Sequence, residues 1–247
     1  MSRRRVSART CLSLRIVFLG LVISAPGITV AQHLAVSPGQ QRAIDAYVAE
    51  RTRVLASRGS LEALLAAAHR VHDVFTPPAP GDPSLDELPK PEIERIARLL
   101  PGLDVHIGDT VGVLLDEEYF LALAKSHGAP VDVEFFALHE RTYSRPSLWA
   151  AWMEPTGPET ACADFTSGEL VDVFAAWRRF QNRYPGRYAQ AVAKELEYAA
   201  DSLLAQGRAL CQQDMRLVRR ELERLLASTP QDPLAPGIRK RLEDLPR

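Results

Sequence analysis

Apolar side chains recur three or four residues apart along most of this chain, which is the spacing of amphipathic helices. Ser, Asp, Pro or Gly stands at most ends of these runs, where such residues cap or stop helices. The predicted helices are Gln40–Ser57, Leu61–Phe75, Pro91–Leu100, Glu117–His127, Asp132–Tyr143, Leu170–Phe180, Tyr188–Leu203 and Met215–Ala227, with short ones opening at Pro146 and spanning Ile238–Leu245. The pattern predicts an all-α fold, an irregular bundle of seven to eight helices built from helical hairpins.

Two stretches break this pattern. Six prolines and one glycine lie between Thr76 and Pro91, a density that prevents a continuous helix and predicts a loop. We therefore divide the chain after its leader into an N-terminal helical hairpin (32–75), a Pro-rich loop (76–91) and a main helical domain (92–247). Leu103–Ile107 alternates apolar and polar residues, so a short strand and an extended connection are equally consistent with it. Pro155–Pro158 is interpreted as a loop leading to Cys162.

The N-terminus has the order of a secretory signal peptide. Five arginines and no acidic residue precede or flank an apolar run from Ile16 to Ala25, which is too short for an ordinary transmembrane helix. Small residues follow, and Thr29-Val30-Ala31 predicts cleavage before Gln32. The alternative is an uncleaved N-terminal anchor, and the sequence does not distinguish general secretion from twin-arginine export.

Removal of residues 1–31 changes both the charge and the cysteine count. The whole chain has 30 Lys+Arg and 31 Asp+Glu, and five of the arginines lie in the leader, so 25 against 31 leaves a net charge of −6. An acidic chain of this kind is not expected to bind nucleic acid. Cys162 and Cys211 then form an even pair in an oxidising compartment, which favours a disulfide over two buried thiols.

The segment between these cysteines predicts a helical hairpin interrupted by Tyr184-Pro185-Gly186. Thr166 or Ser167 is the expected N-cap, and Thr166 with Glu169 has the spacing of a capping box. Eleven of the seventeen aromatic residues lie between Phe135 and Tyr188, so the centre of the core is expected there.

His69 and His72 form the most metal-like pair, because histidines at i and i+3 of a helix lie close together and His106 or His139 could complete a site. The spacing differs from that of the zinc-protease motif, and His72 occupies the apolar stripe of its helix. A hydrogen-bonded core histidine is therefore the competing interpretation. We expect no resident metal and no cofactor.

Glu118, beside Asp116 and Glu117, and Glu140 are the candidate acids for a lysozyme-like hydrolase. Acidic residues at the start of a helix are equally explained as a first turn favoured by the helix dipole. No Gly-x-Ser-x-Gly motif and no Gly-rich phosphate loop is present.

Tyr143, Arg145, Trp149 and Trp152 carry side chains typical of interface anchors and form a candidate recognition surface, with core packing as the alternative. With no coherent catalytic set, we expect a non-catalytic binding protein that is periplasmic or secreted. Its partner would be a protein of the cell envelope, as for an inhibitor or immunity-type protein. A cell-wall hydrolase and a metal-dependent hydrolase using His69 and His72 remain the alternatives.

Overall fold

The computed structural model describes residues 35–107, 111–143, 149–157, 160–204, 210–211 and 215–246, and these form one compact unit. The fold of these residues is mostly helical, with nine α-helices, one 3-10 turn at Leu85–Glu87 and two small antiparallel sheets. The helices are α1 Pro38–Leu55, α2 Leu61–Phe75, α3 Lys90–Leu99, α4 Glu117–His127, α5 Pro130–Thr142, α6 Glu169–Arg183, α7 Ala189–Leu204, α8 Met215–Ser228 and α9 Ala235–Asp244. The strands are β1 Leu103–Ile107, β2 Val111–Leu115, β3 Met153–Gly157 and β4 Thr160–Ala163.

Serine caps fix the starts of the first two helices, close to where the sequence predicts them. Ser37 Oγ accepts a hydrogen bond from the amide of Gln40 at 3.2 Å, and Gln40 Oε1 accepts one from the amide of Ser37 at 2.9 Å. This reciprocal capping box satisfies two amides that a helix start otherwise leaves unpaired. Ser60 Oγ caps α2 by accepting from the amide of Ala63 at 3.1 Å.

The all-α class is too simple, because the chain contains two β-hairpins. Leu103–Ile107 is a strand, and it pairs antiparallel with β2 from Leu103 opposite Leu115 to Ile107 opposite Val111. The partner escaped prediction because Val111–Leu115 is a continuous apolar run, which carries no two-residue alternation. In such a run, a buried strand and a piece of helix cannot be told apart from the pattern.

The second hairpin overturns two local predictions. Met153–Gly157 pairs with Thr160–Ala163, so the described part of the segment interpreted as a loop, residues 155–157, belongs to strand β3. Pro155 is tolerated there because a two-stranded sheet has only edge strands, and the register is irregular between Pro155 and Gly157. Residues 149–152 are bends and turns rather than the short helix expected after Pro146, which itself lies outside the described residues.

Helix α6 begins differently from the prediction. Its N-cap is Gly168, with a left-handed φ of 72°, rather than Thr166 or Ser167. Thr166 Oγ1 donates to Asp164 at 2.7 Å, and Glu169 accepts from Arg141 Nε at 2.6 Å instead of closing a capping box. Glycine suits this position because it adopts positive φ without strain. Its missing Cβ also leaves room for Arg224, whose Nη2 would lie 3.0 Å from that atom.

Aromatic side chains fill the centre of the core. Phe135 of α5 stacks on Tyr188 with ring centroids 3.9 Å apart and an angle of 11° between the planes. Phe136 and Phe180 meet both rings edge-on, Trp177 meets Phe135 edge-on, and all five side chains are almost fully buried. The packing joins α5, α6 and the start of α7. No helix in the described part of the chain is long and apolar enough to cross a membrane.

The predicted bridge between Cys162 and Cys211 is confirmed. The two sulfurs are bonded, and the Cα atoms lie 5.1 Å apart across a sequence separation of 49 residues. Backbone pairing supports the bridge, because the amide of Cys211 donates to the carbonyl of Ala163 at 3.1 Å. The segment beyond α7 is therefore fastened to β4, immediately before α6.

We expect the Cys162→Ser/Cys211→Ser variant to lose about 4 kcal/mol of unfolding free energy, because the closed loop no longer restricts the unfolded chain. Urea titration of the leaderless protein with and without dithiothreitol measures this loss. Reductant should destabilise the wild type to the level of the variant and leave the variant unchanged. Equal stability of the oxidised wild type and the variant would contradict a structural role for the bridge.

Candidate functional site

A groove of about 200 Å³ lies between α2 and α7. Leu65, Ala66, Tyr188 and Ala191 provide part of its wall. The remaining lining residues are polar or charged, namely Glu62, His69, Arg70, Asp73, Gln190 and Lys194. The lining residues of α2, polar and apolar together, lie three or four positions from one another along the helix, so one face presents them all: Glu62, Leu65, Ala66, His69, Arg70 and Asp73.

Glu62 joins the starts of the two helices. Its Oε1 accepts a hydrogen bond from the amide of Tyr188 at 2.7 Å, and its Oε2 accepts one from Arg187 Nε at 3.2 Å. Asp132 of α5 holds the same turn, because its Oδ1 accepts from the Tyr188 hydroxyl at 2.8 Å and from Arg187 Nη2 at 3.2 Å. Tyr188 has a positive φ of 52°, so these contacts stabilise a strained turn that aims α7.

A buried histidine connects α4, α5 and α7. His139 Nδ1 donates to Glu117 Oε2 at 2.6 Å, and its Nε2 lies 3.6 Å from Glu195 Oε1. The Tyr143 hydroxyl donates to Glu195 Oε2 at 2.9 Å. The side chains of His139, Glu117 and Glu195 are 7%, 16% and 10% exposed, so this cluster is largely shielded from water.

Burial and the neighbouring carboxylates act in opposite directions on the pKa of His139. Burial by itself lowers the pKa of this imidazole, but Glu117, through its charge and hydrogen bond, and Glu195 together raise it above the ordinary value. Burial raises the pKa of Glu195, and His139 and the Tyr143 hydroxyl oppose part of that rise. The two acidic side chains therefore favour the protonated form of this buried imidazole relative to an ordinary histidine.

The pKa of His69, which lines the α2–α7 groove, shifts in the opposite direction. Burial, together with the charges of His139 and Lys194, lowers its pKa to about 4, while Asp73 partly opposes them. His69 is thus a neutral imidazole at neutral pH. It lines the groove as a hydrogen-bonding group without a charge of its own.

The two candidate metal ligands do not converge on one point. His69 lines the groove, whereas His72 Nδ1 donates to the carbonyl of Val113 at 2.7 Å and so fastens α2 to β2. His106 is exposed on β1, and His139 is engaged by Glu117 and Glu195. Within the described ranges, no three His, Cys, Asp or Glu side chains are grouped so that they could hold a metal ion.

The candidate acids lie elsewhere. Asp116 caps α4, since its Oδ1 accepts from the amide of Tyr119 at 3.0 Å. Glu117 binds His139, Glu118 is exposed, and Glu140 is half-buried on α5. Neither Glu118 nor Glu140 lines the α2–α7 groove.

The four residues proposed as a recognition surface have different surroundings. Trp152 is fully buried and donates from Nε1 to Ser202 Oγ at 3.3 Å, so it belongs to the core. Tyr143 is part of the His139 cluster, and Trp149 is half-buried against the core. Arg145 lies outside the described residues.

Sequence reasoning missed Glu195 and Lys194. Glu195 lies seven residues after Tyr188, three after Val192 and four before Ala199, so it stands in the apolar stripe of α7. A carboxylate in an apolar stripe indicates a buried polar contact, and this was the available signal. No protein-family model, curated protein or solved structure matches this chain, so the argument for function rests on its own residues.

Replacing Glu117 with Gln should cost about 2–3 kcal/mol, because the buried His139 ring then loses the acidic side chain that accepts its Nδ1 hydrogen bond. The raised pKa of His139 contributes stability that is present below pH 6.5 and is lost as pH rises through the folded pKa. The loss in Glu117→Gln should therefore be largest at mildly acidic pH.

Urea titrations of the wild type and Glu117→Gln across pH 5–9 check this expectation. Glu118→Gln is the matched control, since the same change one residue later affects an exposed side chain and should alter stability little. Equal effects of the two substitutions at every pH would contradict the charged His139 cluster.

Proposed function

We propose that this chain is an exported, non-catalytic binding protein of the cell envelope, of the inhibitor or immunity type. The disulfide is the observation that carries the proposal, because such bridges persist in oxidising compartments and are rare in the cytosol. The arginine-rich leader predicted over residues 1–31, which lies outside the described residues, supports the same location.

The size of the groove favours binding of a small group over processing of a polymer. Its volume of about 200 Å³ is below the range of roughly 300–1,000 Å³ that is usual for pockets enclosing a drug-sized ligand. A glycan strand is larger still, and a hydrolase also requires two carboxyl groups across a cleft. The groove instead matches one side chain or a ligand of similar size.

The engagement of the buried carboxylates also supports a non-catalytic role. Glu117 and Glu195 flank His139, and Glu195 additionally accepts a hydrogen bond from Tyr143. A general acid must be able to deliver its proton to a bound substrate. In the described part of the chain, these two acids face protein partners rather than the groove.

Affinity capture tests the proposal directly. The leaderless protein, beginning at Gln32, is immobilised in its oxidised form and exposed to an envelope extract of the native host. We expect it to retain one protein at a stoichiometric level, because a bridged, rigid body presents a fixed surface. The Cys162→Ser/Cys211→Ser variant, which lacks the bridge, is immobilised on a second column as the control. It should retain less of that protein.

Cell-wall hydrolysis by the same preparation is assayed in parallel. We expect no turnover by the wild type. Hydrolysis that disappears in Glu118→Gln or Glu140→Gln would overturn the proposal in favour of a muralytic enzyme.

A further inference from the structure

We propose that the α2–α7 groove binds a carboxylate-bearing group about the size of one amino-acid side chain. The inference names the ligand class of the binding role above, and so it rests on that proposed function. Arg70, Lys194 and Gln190 are the donors assigned to the carboxylate, with His69 at the floor of the site.

The donors are available. Arg70, Lys194 and Gln190 are exposed, and none of them has a hydrogen bond or an ion pair with another residue in the described part of the chain. Arg187, in contrast, is engaged by Glu62 and Asp132. Unpaired cations on both walls of one groove are suited to an incoming anion, because hydrogen bonds to charged groups are the strong ones.

The two acidic residues of the groove, Glu62 and Asp73, differ in how strongly they would oppose an incoming anion. Both oxygens of Glu62 already accept hydrogen bonds, and Arg187 compensates its charge. Asp73 is the remaining acid, one turn beyond His69 on α2 and exposed. The negative charge of Asp73 would repel a bound carboxylate. Removing that charge should therefore strengthen binding, whereas removing the charge of Arg70 or Lys194 should weaken it.

His69 offers a readout for an anion in the groove. Burial is the largest cause of its lowered pKa, and the charges of His139 from α5, Lys194 from α7 and His72 from its own helix act in the same direction, while Asp73 opposes them. An anion placed beside the ring would oppose these effects and raise the pKa of His69.

The shape of the groove limits the guest to one side chain. Leu65, Ala66 and Ala191 line the stretch next to the cations, so a short methylene stem could lie against them. The volume of about 200 Å³ leaves room for little more. Glutamate, with two methylenes before its carboxylate, has the matching chemistry, whether as a partner's side chain or as a free amino acid.

The test uses two blocked residues that differ in one group, N-acetyl-glutamate amide and N-acetyl-glutamine amide. Each is titrated into the leaderless wild-type protein at pH 7 while the ring signals of His69, assigned from the His69→Gln variant, are followed by NMR. We expect only the glutamate probe to saturate these shifts and to raise the pKa of His69 from about 4. Equal binding of both probes would overturn the proposal.

Substitutions then locate the contact. Arg70→Gln and Lys194→Gln should each weaken binding of the glutamate probe about tenfold, whereas Asp73→Asn should tighten it about threefold. Arg179→Gln, on the exposed side of α6, removes the same charge away from the groove and is the matched control. If Arg179→Gln weakened binding of the glutamate probe as much as Lys194→Gln, binding would depend only on the net charge of the protein. That result would contradict the proposed site.

Free L-glutamate distinguishes the two sources of the carboxylate. If a protein side chain is the natural guest, the blocked probe should bind at least as tightly as the free amino acid. The opposite result would be tighter binding of free glutamate, together with a loss of that binding in Asp73→Asn. It would assign the site to a small zwitterion, because Asp73 would then bind the free amino group. These measurements need only the purified protein, so they can succeed or fail independently of the affinity capture.

Discussion

The bond between Cys162 and Cys211 is the constraint on which the rest of the structure depends. It fastens the segment beyond α7 to β4, directly before α6, and so closes both ends of the α6–α7 hairpin. At the turn between the two helices, Glu62 and Asp132 hold Arg187 and Tyr188. Contacts with α2 and α5 therefore hold the start of α7, and the bridge fastens the chain beyond α7 to β4.

Helix α7 also carries the charges that give the molecule its chemistry. Glu195 points toward the buried His139, and Lys194, its neighbour, lines the groove with His69. Burial is the largest cause of the lowered pKa of His69, and the charges of His139 and Lys194 act in the same direction. Buried and surface electrostatics are thus coupled through one helix, and a displacement of α7 would alter both.

Much of the fold was predictable because it depends on local signals. Helix positions follow the apolar spacing, and the bridge was predicted from two cysteines that flank a hairpin in a chain with a predicted export leader. The β-hairpins were not predictable in the same way, since Val111–Leu115 has no alternation and Pro155 argues against a strand. The groove depends on contacts between distant residues, such as Glu62 with Tyr188, for which one sequence contains no signal.

Export and bridging are tested most directly by mass spectrometry of the protein taken from the envelope of its native host without reduction. We predict an N-terminus at Gln32 and a cross-linked pair of peptides containing Cys162 and Cys211. An intact leader together with two thiols that react freely with an alkylating reagent would contradict both the location and the constraint.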